Sequence, residues 1–432
     1  MIRKMEIDGY RLLNEFAADL GALTVVIGAN AVGKSTLLDC LQCISQCVEY
    51  PLNTVLGWHW GMLSLLNVAE KKEQKLIWRL TFTKPKTGLW AQLPMEEEHA
   101  LVYEVVLQSD IQRQALAQYE VLRTSEPYPG FQDPLKYLEA TLHRRHIFNR
   151  RTHRLEIFDE AVSSSSDAQR RGTSSSDNNK ELPSQVQEPA LMLSQIRFFN
   201  EFATPSAARL LLANMTFYPG FDVTRFSTLR TKPAEIKPIA ILSPNGENLG
   251  TVLHEILNRY EYRSSANDLR EFLQAAYSTF EEIHCDTTYG TPPQVLVRVR
   301  EKGMPRSMEL WELSDGMLRF LCLATALLSP SISPLVAIDE PEAGLHPRLL
   351  PIVADMIKTA SERTQVLVTT HSPDLLNRFD ITDVAVMTRD DYAVKAKWHR
   401  PSDRKSLVKM LKNVEGETLG DLHRSGELEA LG

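Results

Sequence analysis

The chain reads as an α/β protein. It predicts a mainly parallel central sheet, an antiparallel β subdomain and an inserted helical region. Three patterns predict this. The apolar run Leu23–Ile27 leads through a glycine turn into a segment with Leu37, Leu38, Leu41, Ile44 and Val48 at helical spacing, the signature of a buried strand feeding a helix. Near the other end, strand and helix patterns alternate around the continuous apolar runs Leu335–Ile338 and Val366–Val368, as parallel sheets require. Between them lie period-two segments with turn-rich gaps, which read as an antiparallel meander.

In chain order, residues 2 to 27 read as two strands joined by a turn, Ile2 to Leu13 and Leu23 to Ile27. The following helix runs to about Tyr50, and Pro51 to Glu70 fits no period. Leu76–Phe82, Leu101–Leu107, Tyr119–Leu122 and Arg154–Phe158 alternate as strands, closing an N-terminal half over 1–160. The Ser-, Asp- and Asn-rich stretch at 161–190 buries too little apolar surface to order itself and reads as a linker. An inserted, mainly helical region is expected over 191–284, with helices Leu191–Asn214, Asn248–Arg259 and Ala266–Phe280. Residues 285–432 return to strands, first Val295–Val299 and Met308–Trp311, then the parallel alternation.

A net charge of −7 over 432 residues excludes a uniformly basic nucleic-acid coat. The run from His143 to Arg154, with Arg144, Arg145, Arg150 and Arg151, is the strongest local cluster. It reads first as the solvated rim of a hairpin and second as a phosphate-backbone contact to DNA. No signal peptide or membrane-spanning run is evident; Met317–Leu328 is too short and carries Arg319. A cytoplasmic protein is expected. Cys40, Cys43 and Cys47 lie on the apolar side of the first helix and read as small buried hydrophobes rather than metal ligands.

The chemistry begins at Gly28-Ala29-Asn30-Ala31-Val32-Gly33-Lys34-Ser35-Thr36, a G-x-x-x-x-G-K-[ST] pattern in its strand–helix context. Gly28 and Gly33 let the loop wrap so that the backbone N–H groups from Asn30 to Thr36 face phosphate oxygens. The helix start adds unpaired N–H groups. Lys34 brings a point charge to the β- and γ-phosphates of ATP, and Ser35 a hydroxyl ligand for Mg²⁺. Asp339 and Glu340 end a buried apolar strand, where two acids are costly unless they serve a cation or a reaction. Asp339 is placed to hold Mg²⁺, and Glu340 to take a proton from the attacking water. Ser314 precedes an apolar helix as a natural N-cap, Gly316 allows close approach, and His371 ends another buried strand.

The order of these four pieces matters more than any one of them. With the runs Leu313-Ser314-Asp315-Gly316-Met317 and Ile338-Asp339-Glu340-Pro341-Glu342-Ala343-Gly344-Leu345-His346-Pro347, the chain resembles the ABC-type ATPase heads of transporters, chromosome-maintenance and RecF-like proteins. It is most similar to bacterial predicted ATPases of the AAA15/AAA21 type, which are related to the ATPase part of anti-phage defence systems. The resemblance implies that Ser314 and Gly316 form a signature turn reaching the γ-phosphate bound by an opposite protomer. Ala343–His346 would line the dimer seam, His371 would be a switch residue at the γ-phosphate, and Arg11 a basic residue near the nucleotide. It also implies an ATP-dependent homodimer or higher oligomer working on a separate effector, a nuclease or toxin. A RecF-like DNA clamp and a nucleotide-gated scaffold with little turnover are the competing expectations. Asp315 and Met317 stand where transporters carry glycine and glutamine, and about three hundred residues separate Lys34 from Asp339; both count against a transporter. Only 61 residues follow His371, so a nuclease is expected on another polypeptide.

Overall fold

The computed structural model describes residues 1–67, 75–86, 89–95, 97–109, 114–141, 144–149, 154–159, 190–196, 202–231, 234–236, 241–288, 293–330, 333–390, 394–404 and 418–431. Its centre is a six-stranded sheet in the order Thr216–Tyr218, Leu335–Asp339, Gln365–Thr369, Leu23–Ile27, Val384–Asp390, Lys395–His399. The first five strands run parallel, and only the last pair is antiparallel. Leu23–Ile27 and Gln365–Thr369 are buried at every position, as strands covered on both faces must be.

Alternate residues of these strands feed two cores. Val26, Leu335, Ala337 and Leu367 join the core that contains the helix Lys34–Cys47 and the helix Ala203–Ala213. Val25, Ile27, Val336, Ile338, Val366 and Val368 join the core on the opposite face, with the helices Asp315–Leu328, Leu350–Ser361 and Arg263–Ala276. The period-two alternation of a strand thus binds one layer of helices to each side.

An eight-stranded antiparallel sheet packs on the first core, in the order Phe16–Asp19, Ile2–Asp8, Lys75–Phe82, Leu101–Ser109, Ala115–Thr124, Lys136–Thr141, Arg144–Asn149, Arg154–Asp159. Gln365 ties it to the central sheet: its amide accepts from Ile2 N–H at 2.8 Å and donates to the Ile2 and Gly21 carbonyls. Glu120, 1% exposed, accepts from Tyr103 Oη at 2.8 Å and from the N–H groups of Met192 and Leu193. A buried carboxylate is tolerable with that many donors. A small third sheet joins Ala234–Glu235, Gln294–Glu301 and Phe280–Thr288, with Met308–Glu309 also paired to Gln294–Glu301.

Several elements differ from the sequence expectation. The first 27 residues hold three strands rather than two, because the chain turns at Gly9, with φ +80°, and folds Phe16–Asp19 back on Ile2–Asp8. A side chain at Gly9 would strike the Lys75 carbonyl, 2.2 Å from its Cβ. The expected helix Leu191–Asn214 is two helices, Met192–Gln195 and Ala203–Ala213. The helix placed at Ala266–Phe280 is Arg263–Ala276, and buried Phe280 opens a strand. Met308–Trp311 keeps only Met308–Glu309 as strand, since a Glu309–Glu312 capping box closes a 3₁₀ turn there. Pro51–Glu70, which fits no period, contains the short helices Leu52–Trp58 and Met62–Leu65. Thr216–Tyr218, inside the stretch expected to be a helical insertion, is the edge strand of the central sheet. Cys40, Cys43 and Cys47 are buried, and Cys40 Sγ lies 3.0 Å from the Trp78 indole nitrogen. Of the basic run, Arg144–Asn149 and Arg154–Asp159 form the last hairpin of the antiparallel sheet; His143 and 150–153 lie outside the described residues, as does the Ser-rich stretch at 161–189. Among the described residues no helix is long and apolar enough to cross a membrane.

Candidate active site

Three neighbouring parallel strands end together. In register, Asp339 faces Thr369, and Thr369 faces Val26. The loop after Ile27, the acid pair after Ile338 and the turn after Thr369 therefore share one sheet edge, where ligands of such sheets bind.

The loop after Ile27 is built for close approach. Gly28 has φ +150°, and a Cβ there would fall 2.2 Å from the Met387 carbonyl oxygen, so no other residue fits. Ala31 and Gly33 also have positive φ, 64° and 110°, which bends the backbone around a hollow before the helix begins at Lys34. Lys34 is only 6% exposed, and its ammonium donates to the carbonyls of Gly28 at 2.8 Å and Ala29 at 3.0 Å. Burial lowers its pKa, and the charges of Glu340 and Asp339 oppose that shift. Asn30, Ala31 and Ser35 are exposed, Thr36 is half-buried and Val32 is buried.

Ser35 and Asp339 meet across 304 positions of sequence. Ser35 Oγ donates to Asp339 Oδ2 at 3.0 Å, and Thr369 Oγ donates to the other carboxylate oxygen. A hydroxyl and a carboxylate side by side form the hard oxygen donor set that suits Mg²⁺. Glu340 follows with φ 47°, a left-handed conformation that costs a non-glycine residue about 1–3 kcal/mol. Its N–H bonds to the Thr369 carbonyl at 3.1 Å, which holds it there. The Glu340 carboxylate is half exposed and lies 3.7 Å from His371 Nε2. Burial, then the Lys34 charge, lowers the His371 pKa from its ordinary 6.5.

Glu342 closes the cluster. One of its carboxylate oxygens accepts from Thr370 Oγ at 2.7 Å and from His371 N–H at 2.9 Å, joining the acidic turn to the histidine turn. Sequence reasoning assigned no role to Glu342, Thr369 or Thr370, although Glu342 lies inside the run Ile338–Pro347 and the two threonines lie between the apolar run Val366–Val368 and His371. It also missed Glu429. This residue lines a cleft of about 320 Å³ with Ala29–Val32, Met387, Thr388 and Arg389, and His423 Nδ1 lies 2.6 Å from its carboxylate. Nothing local in the C-terminal sequence signals that return to the loop.

Arg11 sits beside the cluster rather than in it. It pairs with Asp39 at 2.9 Å, and Asp39 also takes bonds from Tyr10 Oη and His59 Nδ1. Burial opposes the Asp39 charge, but these partners hold its pKa below the usual carboxylate range. A Cβ on Gly33 would lie 3.8 Å from Leu12 Cβ, so the Arg11 segment runs alongside the loop. Ser314 and Gly316 are elsewhere. Ser314 caps the helix Asp315–Leu328 by accepting from Met317 N–H at 3.3 Å. A Cβ on Gly316 would approach the Gly344 carbonyl at 3.7 Å, and Arg319 donates to the Ala343 carbonyl. The turn at Ser314–Gly316 thus abuts the loop at Ala343–Gly344.

A family model described as "AAA domain, putative AbiEii toxin, Type IV TA system" matches residues 23–377. No curated protein matches the sequence. Among solved structures, the chain is similar to an SmcHead bound to the C-winged helix domain of ScpA, at 12% identity over 92% of this chain and 97% of that one, with a TM-score of 0.52. It is also similar to the Smc head domain with an extended coiled coil bound to the C-terminal domain of ScpA, derived from Pyrococcus furiosus. That match has 12% identity over 95% and 99% of the two chains and a TM-score of 0.51. At such identities the likeness concerns the fold, which is that of an ABC-type P-loop ATPase head.

Proposed function

The chain belongs to the family of AAA domains described as putative AbiEii toxin, Type IV TA system, and from that premise we propose that it is an ATP-hydrolysing switch. It binds ATP, pairs with a second copy around the nucleotide in the cytoplasm, and controls a separate effector, a nuclease or toxin, in anti-phage defence. The observation that carries the nucleotide reading is the Ser35–Asp339 contact of 3.0 Å beside buried Lys34. Three hundred residues of intervening chain fold so that these groups meet at one sheet edge.

Each residue has one task. The N–H groups from Asn30 to Thr36 bind the phosphates, and Lys34 leaves the loop carbonyls to meet the β- and γ-phosphates. Ser35 and Asp339 would hold Mg²⁺, which when bound neutralises phosphate charge. Glu340, held in an uncommon backbone conformation, accepts the proton of the attacking water. His371 orients toward the γ-phosphate, with Glu342 fixing its backbone. Arg11 serves the nucleotide from the side. Ser314 and Gly316 face a phosphate held by the second copy; within one chain Ser314 caps its own helix and Gly316 packs on the seam loop, which would line the contact.

The test is ATP turnover with Mg²⁺, together with gel filtration of the full chain with and without ATP. Phosphate release and an ATP-dependent shift to a larger species are expected. A purified chain that binds no nucleotide at millimolar ATP overturns the reading; ATP-driven association without phosphate release supports the scaffold alternative instead.

A further inference from the structure

Arg230 is a cation the catalytic scheme leaves unused. It stands on the short helix Thr228–Thr231, yet all its bonding reaches elsewhere. Its side chain is 7% exposed. Nε donates to the Val223 carbonyl at 2.8 Å. One terminal nitrogen donates to the carbonyls of Trp311 at 3.0 Å and Leu313 at 2.9 Å, with Leu310 at 3.4 Å. The other donates to Asp315 Oδ1 at 2.6 Å. Four of the five acceptors lie in Leu310–Asp315, the segment that delivers Ser314.

We propose that Arg230 is the positioning residue of the signature turn, and that through it the small third sheet sets where Ser314 and Gly316 point. The proposal rests on the ATP-sandwich reading above. A planar guanidinium is suited to this: its donors are fixed in one fork, so satisfying several carbonyls at once defines their relative positions, which a lysine's single ammonium cannot do. Burial sharpens the constraint, because the charge has little water to turn to and each lost acceptor is felt. The linkage runs in both directions. The chain leaves Arg230 for Ala234–Glu235, which pairs with Gln294–Glu301; that strand in turn pairs with Met308–Glu309, the residues immediately before the clamped turn. The turn is therefore held from the arginine on one side and from the sheet on the other. A displacement of that sheet shifts the signature turn, and none of the Arg230 bonds reaches the phosphate loop.

The experiment compares Arg230→Ala and Arg230→Lys with the unaltered full chain by three readouts. Amide hydrogen exchange in Leu313–Leu318 is expected to rise tenfold or more in Arg230→Ala, with exchange in Leu23–Leu41 unchanged. Affinity for a fluorescent ATP analogue, measured at protein concentrations below association, is expected to stay within twofold. ATP-driven association and kcat are expected to fall tenfold or more while KM moves little, with the lysine variant between alanine and the unaltered chain. Unchanged exchange in Leu313–Leu318 overturns the proposal. So does a loss of nucleotide affinity equal to the loss of association, which would mark Arg230 as a residue of general folding. If the unaltered chain neither associates nor turns over but the exchange pattern holds, the clamp stands and the ATP-sandwich reading falls.

Discussion

The phosphate-loop edge and the signature turn are built in opposite ways. At the first, side chains from three distant stretches of sequence meet: Ser35 and Thr369 both bond Asp339, Glu340 lies beside His371, and Thr370 bonds Glu342, while Lys34 bonds the carbonyls of its own loop. At the second, Ser314 bonds within its own helix turn, its neighbours Leu313 and Asp315 are held by Arg230, and Gly316 lies against the Gly344 carbonyl. One pole is organised inside the chain. The other is tied to its own helix and, through Arg230, to Leu310–Asp315. The difference teaches where each pole gets its order: the first is preorganised by folding, while the second, on the proposed reading, completes a site only on association.

Substitutions at the first pole have the largest expected effects. Lys34→Ala should weaken ATP binding by about two orders of magnitude or more, measured by equilibrium binding, because the buried ammonium has no substitute among its neighbours. Glu340→Gln should keep nucleotide but lose turnover by about 10²- to 10⁴-fold, the usual worth of a general base, and gel filtration with ATP should show an accumulated dimer. A monomer peak that does not move would break the contrast between the poles. Next in size is a concentration effect: specific activity should rise across the micromolar range, as a site shared between copies requires. A flat dependence, in a chain that is monomeric on the same column, would place a complete site within one subunit.

A smaller effect sharpens the picture of the first pole. Glu342→Leu leaves the Thr370 hydroxyl and the His371 N–H without their acceptor, at a cost of about 1–3 kcal/mol for an unsatisfied buried group. A loss of about 1.4 kcal/mol from the transition state is a tenfold loss of turnover. Glu342→Gln retains an oxygen acceptor and should stay close to the unaltered rate. Equal turnover in the leucine variant would show that the histidine turn holds itself.

What the sequence made legible was what is local. The run Leu23–Ile27, the glycine turn and the helix stripe are neighbours in the chain, and each carries its own pattern. Asp339–Glu340 announced themselves because acids at the end of an apolar run have no packing reason to be there. The Ser314 cap was readable for the same reason, as its bond spans three residues. Long-range pairings were not readable. Arg230 is 80 or more residues from the Leu310, Trp311 and Leu313 carbonyls it holds, and Glu429 returns to the loop from the far end of the chain. Thr216–Tyr218 is three residues long and Phe16–Asp19 four, too short for a period to stand out. Their identity as strands comes from the partner beside them. The shifted helix shows the reverse error: Phe280 keeps helical spacing with the residues before it but is claimed by a sheet pairing with Glu301.

The smallest expected effect is also the most direct probe of the first pole. His371 lies between the Lys34 charge and the Glu340 carboxylate, and burial together with that lysine lowers its pKa below 6.5. The neutral imidazole is therefore the form the nucleotide-free fold prefers at neutral pH. The unfolded chain holds more protons than the folded one between the lowered value and 6.5. Stability should accordingly decline as pH falls through that window, level off below it, and be recovered as pH rises to 6.5. His371→Gln should remove this component, leaving the rest of the pH dependence in place. A bound triphosphate sets negative charge against the same ring and acts in the opposite direction, so the histidine titration followed by NMR should move upward when a non-hydrolysable ATP analogue is added. The half-point should lie below 6.5 without nucleotide and rise with it in the unaltered chain, and the upward movement should vanish in Lys34→Ala, which cannot hold the analogue. A half-point already at or above 6.5 in the free protein would mean that the Glu340 carboxylate outweighs both burial and Lys34. The histidine would then be paired with the acid at rest and unable to report the arrival of a phosphate.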